Sequence, residues 1–230
     1  MMFYGGPLFW LALLAFGFAL WAQFRVMGTF QRYSRVPAGV GLTGAEAAAR
    51  ILEAAGLRDV RIEPVRGMLS DHYDPRTRTL RLSPEVYGTA SVAALGVAAH
   101  EAGHALQHRE NYAPLAVRNA IVPVAGIGSQ LGIWLFVIGM FLGQTGGLLM
   151  DLGILLFLGV VAFTLVTLPV EFDASRRAVL ALQANGLVTP RELDGVRAVL
   201  GAAALTYVAA AASAIVELLR LVAIRNMSRE

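Results

Sequence analysis

LGILLFLGVVAFTLVTLPV, Leu152–Val170, is nineteen residues without a charge, and Glu171 follows it directly. In a helix rising about 1.5 Å per residue, such a run reaches roughly 30 Å, the thickness of a bilayer's hydrocarbon core. A helix also satisfies its own backbone polar groups, as any span in lipid must. The stretch reads as a transmembrane helix that ends on a carboxylate.

A second charge-free run, Asn119 to Met150, precedes it across Asp151. It contains Leu131–Leu142 and a bend at Gly143-Gln144-Thr145-Gly146-Gly147, so the two runs form a transmembrane hairpin. Met1 to Phe24 is also free of charge and holds the apolar run Leu8–Trp21, with Trp10 and Trp21 placed for the interfaces. It has no basic leading region and no small-residue cleavage site, which predicts an uncleaved anchor. A fourth run, Ala198–Val216, is alanine-rich and only moderately apolar; it either spans or lies buried against the other helices.

Composition agrees. The chain has 230 residues, 57% hydrophobic and 15% charged, with a mean hydropathy of +0.61. A soluble domain averages about 25% charged, so a water-covered globule is excluded. Cysteine is absent, which excludes disulfides and thiolate chemistry and leaves any metal to histidines and carboxylates. All 19 basic residues are arginine. The net charge of +3 without a dense basic stripe suits anionic lipid headgroups and not nucleic acid.

Arginine also sets the orientation. Eleven arginines lie between Arg25 and Val117, Arg118 follows, and the Asp151 turn has none. Arg176, Arg177, Arg191 and Arg197 follow the third span and fall on the side of the long loop. The positive-inside tendency places that side in the cytoplasm. Arg220, Arg225 and Arg229 fit this poorly if the fourth run spans.

The resulting expectation is a mainly α, polytopic membrane protein with three to four transmembrane helices and a small cytoplasmic α+β portion. Residues 1–24 form the anchor, 25–117 the cytoplasmic portion, 118–170 the hairpin, 171–197 a further helix and loop, and 198–230 a C-terminal apolar helix. Within 25–117, Thr43-Gly44-Ala45-Glu46 is a capping box opening a helix that stops at Gly56. Val60–Val65 alternates as a half-buried strand does. Met68–Tyr73 and Thr77–Leu82 flank a turn at Asp74-Pro75-Arg76. Thr89 or Ser91 caps a helix from Val92 to about His108.

That last helix contains His100-Glu101-Ala102-Gly103-His104. Histidines four apart share a helix face about one turn apart, so both imidazoles can reach one metal ion. The adjacent glutamate lies near the metal's open position, where it can take a proton from water. This is the H-E-x-x-H arrangement of zinc peptidases, which need a third protein ligand. His108 lies about 12 Å along the axis from His100, beyond reach of a shared ion. Asp194, in Leu193-Asp194-Gly195, follows Thr189-Pro190-Arg191-Glu192, which reads as the capping box of a surface helix. Glu171 is the strongest candidate, because the hairpin returns it to the face from which the H-E-x-x-H helix enters the membrane.

Ala99-His100-Glu101-Ala102-Gly103-His104-Ala105, together with Leu168-Pro169-Val170-Glu171-Phe172-Asp173-Ala174-Ser175, resembles the YugP-type membrane zinc metallopeptidases of bacteria (neutral zinc metallopeptidase family 2). Asp71-His72-Tyr73-Asp74-Pro75 and Ala204-Leu205-Thr206-Tyr207-Val208-Ala209 resemble segments of the same family. The resemblance implies a zincin-like active-site helix, one Zn2+ held by His100, His104 and Glu171, and Glu101 as catalytic base. It also implies a multi-pass protein of the bacterial inner membrane. More distantly the chain is similar to HtpX and CAAX-processing membrane peptidases, whose ligand helix reads E-x-x-x-D; here that last position is Ser175 and the nearest acid is Asp173.

The expected activity is endopeptidase cleavage of membrane or unfolded proteins at the cytoplasmic face, with lipid and protein or peptide substrates as partners. His72, Tyr73, Tyr207 and Arg177 are candidates to stabilise the oxyanion. The Met68–Leu82 hairpin offers an edge on which a substrate can add as a strand. Two alternatives are a site-2-type intramembrane protease, disfavoured by the wet sequence Gln107-His108-Arg109-Glu110-Asn111, and a scaffold with a structural metal, which would have no use for Glu101.

Overall fold

A computed structural model describes residues 6–228; the first five residues of the charge-free Met1–Phe24 stretch, Arg229 and Glu230 lie outside the described residues. The elements are, in order, α1 (Pro7–Ser34), α2 (Gly44–Ala54), β1 (Arg61–Pro64), β2 (His72–Asp74), β3 (Thr79–Leu82), α3 (Pro84–Tyr87), α4 (Val92–Arg109), α5 (Ala113–Ile127), a π-helical turn (Gly128–Gly132), α6 (Ile133–Phe141), a 3-10 turn (Gly143–Gly146), α7 (Gly147–Ala184) and α8 (Pro190–Met227). The protein is mainly helical with a small sheet. Four helical stretches, Pro7–Ser34, Ala113–Phe141, Gly143–Ala184 and Pro190–Met227, are long and apolar enough to cross a bilayer.

The chain divides into two compact units. The first holds the described residues up to Ala22, residues 116–169, and those from Thr206 onward. Here the expected hairpin forms, with the 3-10 turn at the predicted bend. Its helices meet closely where side chains are absent: a Cβ on Gly153 would stand 2.5 Å from the Gly132 carbonyl oxygen. Small residues give helices in lipid this close van der Waals contact. Phe136, Met150, Phe157, Val161 and Leu221 form its buried cluster, while Trp134, Phe141, Leu148 and Leu155 stay exposed. The fourth run is part of α8, continuous with the segment that Thr189 caps. Arg225 bonds Asp151 through Nε at 2.7 Å and Nη2 at 3.0 Å, and Arg220 pairs with Glu217 at 3.3 Å. These pairs meet two of the charges that fitted poorly with a fourth span, Arg220 and Arg225.

The second unit comprises residues 23–115 and 170–205. Its centre is α4, buried on nearly every side; its first half, Val92–Ala99, is apolar all round, as a buried helix is. Ile51 and Leu52 from α2, Leu80 and Leu82 from β3, Val86 from α3, and Leu182, Val196 and Val199 from α7 and α8 share its core. The capping box at Thr43 forms in full. Of the two caps considered for α4, Ser91 supplies it, accepting from the Ala94 amide at 3.2 Å. The predicted hairpin pairs β2 antiparallel to β3. Strand β1 runs parallel to β3, giving the order β1-β3-β2.

Candidate metal centre

Capping by Ser91 fixes the start of α4 and thereby the face on which its histidines fall. The rings of His100 and His104 stand 4.8 Å apart at 82°. Between them Gly103 has no side chain, and a Cβ there would stand 2.5 Å from the Ala174 carbonyl oxygen. The missing methyl lets α7 lie against α4. One turn before Ala174, Glu171 then faces both rings, its Oε2 3.1 Å from His100 Nε2 and 3.7 Å from His104 Nε2. One donor atom from each of the three residues lies within 4.8 Å of the others.

The opposite ring nitrogens are also held. His100 Nδ1 lies 3.1 Å from the Ser175 hydroxyl, and His104 Nδ1 lies 3.0 Å from Gln107 Oε1. The Gln107 amide nitrogen donates to the Val170 carbonyl at 2.8 Å and to Asp173 at 2.9 Å. Its orientation is therefore set, and Oε1, which can only accept, assigns the proton to His104 Nδ1. The Nε2 lone pair is left pointing at the cluster. Asp173 in turn accepts from Arg177 Nε at 2.5 Å, and Arg177 Nη1 donates to Glu110 at 2.6 Å.

Glu101 is buried beside the cluster, and its charge acts on both His104 and Asp71. Burial disfavours the charged His104 imidazolium, but its bond to Glu171 and the charges of Glu101 and Glu171 outweigh that, holding its pKa above the ordinary value. Burial pushes the Asp71 carboxyl up, against the Ser83 hydrogen bonds that pull it down. Those bonds, 2.7 Å from the Ser83 amide and 3.0 Å from its hydroxyl, pin Asp71 at the start of β2.

Two imidazole nitrogens and a carboxylate oxygen, with the remaining ring nitrogens held by the protein, make up the donor set of a catalytic zinc site, and the residues fit that ion. The other candidates lie elsewhere. His108 is outside the cluster, its Nδ1 2.9 Å from the Tyr73 hydroxyl. Asp194 is exposed and reaches Arg197 at 3.5 Å, while Thr189 and Glu192 cap α8 as the sequence predicts. Exposed His72 donates to the Ser70 carbonyl. Arg177 is engaged by Asp173 and Glu110, and Tyr207 belongs to the other unit. Sequence reasoning missed Gln107 and Asp71; for Gln107 the one available signal was an amide three residues after a candidate ligand histidine.

Comparison with known proteins gives two matches. The profile of a family described as "Putative neutral zinc metallopeptidase" matches residues 8–226. A Bacillus subtilis (strain 168) protein called "Putative membrane protease YugP" is 51% identical over 214 residues, covering 93% of this chain and 94% of that one. No solved structure matches the chain.

Proposed function

The chain belongs to this neutral zinc metallopeptidase family, and from that premise we propose that it is a membrane-embedded, zinc-dependent endopeptidase. His100, His104 and Glu171 hold one zinc ion and Glu101 is the general base. The observation that carries the reading is the convergence of the three donor atoms within 4.8 Å beside a buried glutamate.

Bound there, zinc would supply Lewis acidity, polarising the scissile carbonyl and making water acidic near neutral pH. The chain's own residues do the rest. A Glu101 carboxylate oxygen accepts a proton from the attacking water and returns it to the leaving amide nitrogen. Ser175 and Gln107 keep the two imidazoles turned toward the ion. Burial of Glu101 limits competing water and strengthens its interaction with the reacting proton.

The arginine distribution supports a cytoplasmic active site. The strand order supports extended substrates, because β2 is an edge strand packed on the ligand helix. A peptide can add there through main-chain hydrogen bonds, which favours unfolded or juxtamembrane segments.

The test is zinc content and peptide cleavage of the detergent-purified protein. Glu101→Gln is expected to keep zinc and lose cleavage, and His104→Ala and Glu171→Ala to lose both. Normal cleavage by Glu101→Gln would refute the peptidase reading, and full zinc in Glu171→Ala would remove that residue from the ligand set.

A further inference from the structure

Away from the candidate metal centre, α1 and α8 border an open cavity of about 290 Å³. Arg25, Thr29, Arg32 and Tyr33 line it from α1, and Arg197 and Gly201 from α8. Positions 25, 29, 32 and 33 share one helix face, as do 197 and 201. Three arginines and two hydroxyl-bearing residues thus line one space, and among the described residues no acidic one lines it. Arg32 lies over the Tyr33 ring at 5.5 Å. The contact of Arg197 with Asp194 is long, at 3.5 Å, and exposed, so it does little to neutralise the group.

Three like charges around one cavity repel one another, and an anion in that space would relieve the repulsion. The sequence places the cavity among phosphates. Arg25 is the first charge after the leading apolar run, and Arg197 is the last before Ala198–Val216. Both mark the ends of apolar stretches, where lipid headgroups meet the protein. Guanidinium forks match phosphate oxygens in pairs, which ammonium groups do not.

We infer that the Arg25–Arg32–Arg197 cavity binds an anionic phosphate group, supplied by the headgroup of an acidic phospholipid. The site is separate from the metal cluster and does not depend on the peptidase reading. An arginine near an anionic headgroup contributes about a five-fold factor in binding. Removing all three is therefore expected to weaken it about a hundred-fold.

The experiment is native mass spectrometry of the full chain in detergent, titrated with short-chain phosphatidylglycerol, short-chain phosphatidylcholine and inorganic phosphate. Phosphatidylglycerol is expected to bind the wild type in preference to phosphatidylcholine. Arg25→Gln, Arg32→Gln and Arg197→Gln are each expected to weaken it. Gly201→Leu tests the space without changing charge: Gly201 lines the cavity and a Cβ there meets nothing within 4 Å, so the larger side chain is expected to take up part of the space and binding to fall. Displacement of the lipid by inorganic phosphate would show that the free anion suffices; retention against it would show that the lipid is the ligand. Equal binding of the two lipids, or wild-type affinity in the triple arginine variant or in Gly201→Leu, would overturn the proposal.

Discussion

Gln107 Oε1 lies 3.0 Å from His104 Nδ1, while the Gln107 amide nitrogen is committed to Val170 and Asp173. One fully buried side chain thus selects the tautomer of a candidate ligand and ties it to α7. Partners of this kind are typically worth about 10–100-fold in metal affinity. Gln107→Ala is expected to weaken zinc binding by about that factor, measured by competition with a chelator. Unchanged affinity would mean that His104 is held by something other than Gln107.

At Gly103, α7 comes close to the helix that carries the two candidate ligand histidines. Gly103→Ala places a methyl 2.5 Å from the Ala174 carbonyl oxygen, too close for the backbone to accept unmoved. Overpacking of this kind costs about 1–3 kcal/mol, and any retreat of α7 carries Glu171 away from the histidines. Lower thermal stability and weaker zinc binding are expected together. Gly201→Ala is the control, because its Cβ meets nothing within 4 Å and alanine favours a helix by up to about 1 kcal/mol. Equal melting behaviour of the two variants would show that the α4–α7 approach is not tight.

Much of this arrangement was legible because its signals are local. The capping residues Thr43 and Ser91, the hairpin about Asp74, the charge-free runs and the H-E-x-x-H spacing each occupy a few consecutive residues. That Glu171 meets the two histidines was legible for another reason: a helical hairpin constrains which ends come together. What stayed hidden depends on contacts distant in sequence. The parallel pairing of β1 with β3 has no local signature. The acid that steadies a ligand was sought at position 175, where this chain has Ser175. The structure puts that hydroxyl against His100 and uses Asp173 through Gln107 for His104. A relay through an intervening amide leaves no spacing rule to read.

The hairpin of β2 and β3 is expected to be acid-sensitive. Hydrogen bonds from Thr77 and Arg81, and from the Arg76 amide, hold the Asp74 carboxyl well below the usual carboxylate range. A carboxylate whose folded pKa is depressed stabilises the fold above its unfolded value, and that contribution is lost as pH falls through the folded one. Protection factors of the β2 and β3 amides, which correct for the acid slowing of intrinsic exchange, are expected to fall on acidification below the usual aspartate pKa. In Asp74→Asn the same amides are expected to exchange faster near neutral pH and to respond less to acid. An acid response identical to wild type would show that Asp74 does not hold the turn.

Membrane sidedness can be read cleanly because the chain has no cysteine. If the arginine-rich loop is cytoplasmic, Arg58→Cys is protected from a membrane-impermeant thiol reagent in intact cells and reacts once they are permeabilised. Thr145→Cys, in the turn between α6 and α7, reacts in intact cells. The Arg225–Asp151 pair joins the C-terminal end of α8 to the start of α7, so Asn226→Cys is expected to label as Thr145→Cys does. Labelling of Asn226→Cys in the pattern of Arg58→Cys would mean that α8 returns without crossing. Reactivity of Arg58→Cys in intact cells would put the candidate active site on the outer face.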